Sequence, residues 1–320
     1  MRPLHNKETL VTAYSYANCL DNAYKVNWRI EDVLGDRRFD RTKRWLPASL
    51  SGAPGTTCLG EAEQRALTQV ELAAYAHLFG YVEEFIAPKV GSLARDFALE
   101  DRAAFDALTN FAAEEVKHMN LFRGVRDRIH AHFGFELQLL EDRTNTARFV
   151  LGKSTGAVLL LTAAIEWMTQ RHYLDAIKDD AELDPFTRSI FKAHWLEESQ
   201  HAQLDHLETI RAFRSMTPVE RDRAIDELIE LVAAVDGLLQ QQTTHDLANL
   251  SRLLGRQFAA RETEELRREI LRAKRWTFVL SGVTHPRFEE LFTEVTTPAQ
   301  RSRVGLALES LFQMEPAAAR

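Results

Sequence analysis

The chain has 320 residues, of which 45% are hydrophobic and 27% charged, with a formal net charge of −7. This is an ordinary globular composition, long enough to bury a substantial core as one large domain or two modest ones. The negative balance and the interspersed lysines and arginines argue against a nucleic-acid partner. The two cysteines, Cys19 and Cys58, are too few for a disulfide framework and form no zinc-type pair, which fits a reducing compartment.

Residues 1–60 are the least regular stretch and are expected to form an N-terminal arm packed on the core. The arm ends in a loop, Pro47 to Gly60, rich in Gly, Pro, Ser and Thr. Helical periodicity then runs from Glu61 to Ala87, where Pro88 and Gly91 predict a break. A second helix is expected over Asp101 to His132, stopping near Gly134, and a third over Ala147 to Asp179. The longest apolar run, Gly156 to Ile165, falls in this third helix. It is about half a membrane span, and no basic-then-apolar leader opens the chain, so a cytoplasmic protein with no membrane partner is expected. Asp184 and Pro185 supply the cap and first turn of a fourth helix that continues to Phe213. Thr217-Pro218-Val219-Glu220 combines a capping box with a first-turn proline. Further helices are predicted over 219–258, 261–280 and 286–296, with Thr297-Pro298 starting the last. Strand-like alternation is nearly absent and no linker divides the chain. The expectation is an all-α protein of one structural domain: the arm (1–60), a four-helix core (61–213) and a C-terminal helical cover (214–320).

The core carries one phrase twice. Glu83 precedes Glu115-x-x-His118, and Glu166 precedes Glu198-x-x-His201, with 32 positions between the glutamates each time. One Glu-x-x-His is expected by chance in a chain this long; a matched pair is the layout of a carboxylate-bridged two-metal site in a four-helix bundle. Leu72, Ala76, Phe79, Glu83 and Ile86 form one stripe of a 3.6-residue helix, with Glu84 about 100° around it. Leu108, Phe111, Glu115, His118 and Phe122 share a face in the second helix, from which Glu114 and Lys117 turn away. Leu159, Thr162, Glu166 and Tyr173 do so in the third. Phe191, His194, Glu198, His201 and Asp205 line up in the fourth. Any one of these glutamates alone reads better as solvated, and any one histidine as plain core. Burying the whole set without compensation is costly, and two divalent or trivalent cations would provide it. Carboxylates with imidazoles suit iron or manganese, and the lack of a thiolate argues against structural zinc. Asp205 is a candidate to orient an imidazole from behind, or else a solvated aspartate. Tyr75, Tyr81 and Tyr173 read as pocket lining or core, and Lys117 and Arg123 as solvated helix charges.

At these residues the chain resembles the ferritin-like diiron carboxylate proteins, and among them the p-aminobenzoate N-oxygenase family. His194-x-x-x-Glu198-x-x-His201 contains an imidazole that the internal repeat does not predict, since the equivalent place in the second helix is Phe111. Val70-Glu71-Leu72-Ala73-Ala74 leading into Tyr81-Val82-Glu83, and Trp45-Leu46-Pro47 ahead of that helix, are similar to the family's sequences. The resemblance covers residues 45–210. It implies a ferritin-like four-helix bundle with a dimetal core, with Glu83, Glu115, His118, Glu166, His194, Glu198 and His201 as ligands and Glu84 as the alternative to Glu83. It implies two iron ions, manganese being open at one site, with dioxygen as co-substrate. It further implies oxidation of the amino group of a small metabolite to a hydroxylamine, with nitroso and nitro products left open. No catalytic residue is expected beyond the metal centre. The electrons would come from an external donor of reductase or ferredoxin type, and a homodimer is open to the chain. The rival readings are another diiron oxidase (C-hydroxylase, desaturase or oxidative-cleavage enzyme), a ferritin-like iron-binding protein, and an inert helical scaffold.

Overall fold

The computed structural model describes residues 14–313. The first thirteen residues of the expected arm and the last seven of the expected cover lie outside them. Two short helices come first, α1 (Tyr16–Val26), capped by the Ser15 side chain on Asn18 N, and α2 (Ile30–Leu34). They lay Tyr16 and Trp28 against the core. The loop that follows is pinned from within. Trp45 is fully buried and donates from its indole to Asp40 O, and Glu71 accepts from Ser51 Oγ and Gly52 N.

The core is a bundle of α3 (Glu61–Ala94), α4 (Arg102–Phe133), α6 (Thr155–Arg171) and α7 (Pro185–Ser215), with α5 (Arg143–Leu151) ahead of α6. Helix α4 starts where Asp101 caps Ala104 N and stops at Gly134. There φ is +77°, a left-handed conformation in which glycine ends helices without strain. Helix α7 starts on Asp184, whose carboxylate accepts from Thr187 N at 2.9 Å.

Two expectations need correction. Helix α3 does not break at Pro88 but runs on to Ala94. An interior proline costs about 3 kcal/mol, and here Val90, Leu93 and Ala94 beyond it are all buried in the apolar core. The expected third helix is two helices, separated at Gly152–Ser154. Gly152 closes α5, and Ser154 N donates to Glu227 Oε2 at 2.7 Å instead of continuing the helix.

The rest of the chain forms α8 (Pro218–Leu254), α9 (Ala260–Arg275), α10 (Ser281–Val283), α11 (Pro286–Val295) and α12 (Pro298–Gln313). Helix α8 opens with the expected capping box, Thr217 with Glu220, and lies across α3 and α6. Helix α9 passes through a π-helical turn, Trp276–Leu280, into α10. Gly282 there meets α6 so closely that a Cβ would lie 2.3 Å from Ala164 O, so only glycine fits. Among the described residues, the one β-type pairing is an isolated bridge between Arg44 and Leu183, and no helix is long and apolar enough to cross a membrane.

Candidate metal centre

The six glutamates and histidines of the repeated phrase and His194 are buried between α3, α4, α6 and α7, each at most 3% exposed. Six of them fall into two groups whose ligand atoms lie within 4.8 Å of one another: Glu83, His118, His194 and Glu198, and Glu115, His118, Glu198 and His201. Glu166, the seventh, lies close enough to Glu198 for each carboxylate to shift the other's titration. Glu198 is the hub. His194 Nε2 is 2.6 Å and His118 Nδ1 3.0 Å from its Oε1, and His201 Nδ1 is 3.1 Å from its Oε2. His201 Nδ1 is also 2.8 Å from Glu115 Oε1, and His194 Nε2 is 3.3 Å from Glu83 Oε1.

Several of these atoms converge without satisfying one another. Both oxygens of Glu115, Oε2 of Glu83, Oε2 of Glu166 and Nδ1 of His118 are buried and make no hydrogen bond. Orphaned donor and acceptor atoms crowded into one dry place are what a metal site leaves when only its ligands are drawn. The donor set of carboxylates and imidazoles, without a thiolate, fits two ions of iron or manganese. Glu84 points elsewhere, 2.6 Å from Arg143 Nη1.

Behind the imidazoles stands a set of carboxylates that the helical-stripe reading missed. His118 Nε2 is 2.9 Å from Glu197 Oε2, and His201 Nε2 is 2.9 Å from Glu114 Oε2. The arrangement is reciprocal: each glutamate that precedes a repeat glutamate reaches across to the histidine of the other repeat. Such partners fix the tautomer and orientation of a ligating imidazole. Lys117 then pairs with Glu197 and packs its ammonium 4.3 Å over the Trp28 ring, and Trp28 stacks parallel to His118 at 5.9 Å. Glu114 and Lys117 were expected to turn away from the site. They leave the core stripe, but the flank they occupy faces α7 rather than solvent. Arg123 is exposed, as expected. Asp205 is buried with its Oδ2 unpartnered and forms no ion pair with an imidazole of the cluster, and Glu114 takes Nε2 of His201. Tyr75 bonds His172 and Tyr173 stacks on Trp195, away from the cluster.

His194 is held differently. It presents Nε2 to the cluster while its Nδ1 has no partner, since Phe79 and Phe122 pack edge-on against the ring at 5.2 and 4.9 Å. At the corresponding place on α4, Phe111 lies flat on His201 at 3.9 Å.

The electrostatics carry the same message as the orphaned atoms. Burial, with the neighbouring Glu115 and Glu198 charges, outweighs the His194 contact and pushes the Glu83 carboxyl up to about 8. Burial and Glu198 likewise raise Glu115 and, further, Glu166. Burial opposes charge on His118, but Glu198 and the hydrogen bond to Glu197 overcome it and hold the ring up at about 9. Glu198 moves the other way: burial acts against its charge, and His194 and His201 hold it well below the usual carboxylate range. Some carboxylates in the cluster must therefore take up a proton or a cation, and two metal ions remove the conflict.

The sequence profile of the family described as p-aminobenzoate N-oxygenase AurF matches residues 9–278. The chain belongs to the p-aminobenzoate N-oxygenase family. As a member it is an oxidoreductase of the diiron oxygenase class that acts on a small molecule. No curated, characterised protein matches it in sequence. Among solved structures it is similar to variants of an R2-like ligand-binding oxidase. One, with an aerobically reconstituted Mn/Fe cofactor, is 14% identical with a TM-score of 0.44, over 88% of this chain and 98% of that one. Another, with an Fe/Fe cofactor, is 15% identical with a TM-score of 0.40, over 86% and 98%.

Proposed function

We propose that the protein is a diiron N-oxygenase that uses dioxygen to convert the amino group of a small metabolite into a hydroxylamine, with nitroso and nitro compounds as further products. The observation that carries this reading is His194. It brings a third imidazole to the cluster, at the position where the internal repeat has Phe111, and it is the feature by which the sequence resembles N-oxygenases among diiron proteins.

Glu83, Glu115, His118, Glu166, His194, Glu198 and His201 would hold the two ions, and Glu114 and Glu197 would keep His201 and His118 in the ligating tautomer. When bound, the metals supply the redox chemistry that cleaves dioxygen and delivers one of its atoms. For each amine oxidised to a hydroxylamine, the other oxygen atom leaves as water, which requires two electrons and two protons. The electrons come from an external donor of reductase or ferredoxin type. The protein's own part is to hold the donors, keep bulk water out with Trp28, Phe79, Phe111 and Phe122, and orient the amine. No side chain is needed as nucleophile or general acid.

Oxidation at carbon is the second reading, favoured by the apolar cavity that Phe79, packed on His194, borders. One experiment separates them. Metal per chain is measured, and the reduced iron protein is then mixed with dioxygen and an arylamine and the products are analysed by mass spectrometry. About two irons per chain and oxygen attached to nitrogen support the first reading, and oxygen attached to carbon supports the second. A chain that binds no metal, or that keeps its full metal content as His118→Ala and Glu198→Ala, removes both.

A further inference from the structure

Two cavities lie on the α3/α6 side of the metal centre. The inner one, about 70 Å³, is lined by Phe79 and Val82 of α3, Met168 of α6, Leu231 and Ala234 of α8, and Tyr81. Phe79 packs edge-on against the His194 ring at 5.2 Å. The outer one, about 410 Å³, lies between α6, α8, α11 and α12, against Leu160, Ala164, Val232, Phe288, Phe292 and Val304. The two cavities share Leu161, Ile165, Val235 and Phe278 as walls. They therefore line up end to end, from Phe79 beside His194 to a mouth between α11 and α12 where Glu289, Thr293 and Arg301 sit.

We propose that this track is the substrate site and that its substrate is an amine with a hydrocarbon tail: the tail fills the outer chamber and the amino end reaches the inner one. The identity of the reacting group rests on the N-oxygenase reading; the tail rests on the cavities alone. The outer chamber falls in the size range of small-molecule sites, roughly 300–1,000 Å³.

The chemistry of the lining excludes a compact amino acid or aminobenzoate. A carboxylate in the inner chamber would meet no cation. Lys117 is engaged with Glu197 on the opposite side of the cluster, and Arg143 with Glu84 and His77. Arg171 is engaged with Ser281 and Thr284. Arg301, the one basic residue in either lining, is at the mouth, where its Nη1 is 2.6 Å from Thr296 O. An unpaired buried charge is costly, so the amine also enters in its neutral form.

The test uses two kinds of arylamine that are neutral at nitrogen and differ in the para substituent: 4-butyl-, 4-hexyl- and 4-octylaniline against p-aminobenzoate. Binding to the metal-loaded protein is followed by calorimetry. Each methylene seated in the chamber is expected to tighten binding roughly fourfold, so 4-octylaniline should bind on the order of a hundredfold or more tighter than p-aminobenzoate. Val235→Trp, in the shared wall, should cut that advantage at least about tenfold with metal per chain unchanged. If Val235→Trp loses helical structure by circular dichroism, Val304→Trp in the outer wall carries the same expectation. Equal or tighter binding of p-aminobenzoate, or affinity for 4-octylaniline unmoved by the folded tryptophan variant, overturns the proposal. The two readings fail separately. Chain-length-dependent binding without an oxygenated nitrogen sinks the N-oxygenase and keeps the chamber, whereas N-oxygenation of p-aminobenzoate in preference to the alkylanilines does the reverse.

Discussion

Where α4 and α7 meet, the imidazoles are backed by buried carboxylates, Glu197 behind His118 and Glu114 behind His201, and Lys117 closes one end of that network against Trp28. On the α3/α6 side, Phe79 packs on His194, and the space beyond it, which Val82 and Ile165 help to line, is apolar and partly empty. Both sides belong to the same bundle and serve the same cluster. The difference separates two tasks. Holding a metal needs polar groups that fix each donor, and those fill the α4/α7 side completely. Admitting an organic molecule needs room without competing hydrogen bonds, and that room lies on the α3/α6 side.

The contrast predicts that polar substitutions on the α4/α7 side act through the metal. The largest effect belongs to Glu198, the residue within about hydrogen-bonding distance of all three histidines. Glu198→Ala should lower metal from about two ions per chain to fewer than one and abolish oxygenation, as read by elemental analysis and product formation. Next comes Glu197→Gln, which keeps the shape but weakens the grip on His118. Partners of this kind typically contribute 10–100-fold in metal affinity or activity, so a competitive chelator titration should show a loss in that range. No loss would make Glu197 a packing group and erase the distinction between the two sides.

That network marks where the sequence stopped being legible. The stripe on each core helix located the buried cluster, because 3.6-residue periodicity says which residues face inward. It misplaces Glu114 and Lys117 because a flank about 100° from the stripe reads as solvent, while in a four-helix bundle a flank faces the next helix. A signal is present in the sequence: both copies read Glu-Glu-x-x-His, Glu114-Glu115 and Glu197-Glu198. Pro88 misled for the opposite reason, since a local breaker gave way to the burial of Val90 and Leu93 beyond it. The outer chamber had no local signal. Its walls come from α6, α8, α11 and α12, and nothing in their separate periodicities says that they leave a space between them.

His77 offers a pH test on the outer part of α3, away from the metal. Its Nε2 donates to Leu140 O at 2.7 Å, and its Nδ1 accepts from Arg143 at 3.2 Å, so the ring is held neutral. Burial, aided by the adjacent Arg143 charge, lowers its pKa to about 4. A histidine depressed in the folded state contributes stability that is present above the unfolded pKa of about 6.5 and is lost as pH falls toward the folded value. At pH 5 the expected loss from this group is about 2 kcal/mol relative to pH 8. Acid also weakens metal binding, so the measurement is the difference between the wild-type and His77→Gln denaturation profiles. The variant should be less sensitive to acid by that amount; parallel profiles would show that His77 is not held neutral.

The smallest expected effect decides the register of α3. Glu83 and Glu84 are adjacent and chemically identical, and only their angle on the helix separates them. Glu83 is 2% exposed and lies among the ligands, whereas Glu84 forms a half-buried pair with Arg143 at 2.6 Å. A pair with that much solvent access contributes about 1 kcal/mol or less. Glu84→Gln should therefore shift the denaturation midpoint slightly and leave metal per chain at the wild-type value. Glu83→Gln replaces an anionic donor with a neutral one and should weaken retention of at least one ion in the same elemental analysis. The opposite pattern, metal lost with Glu84 and kept without Glu83, would turn α3 by one residue.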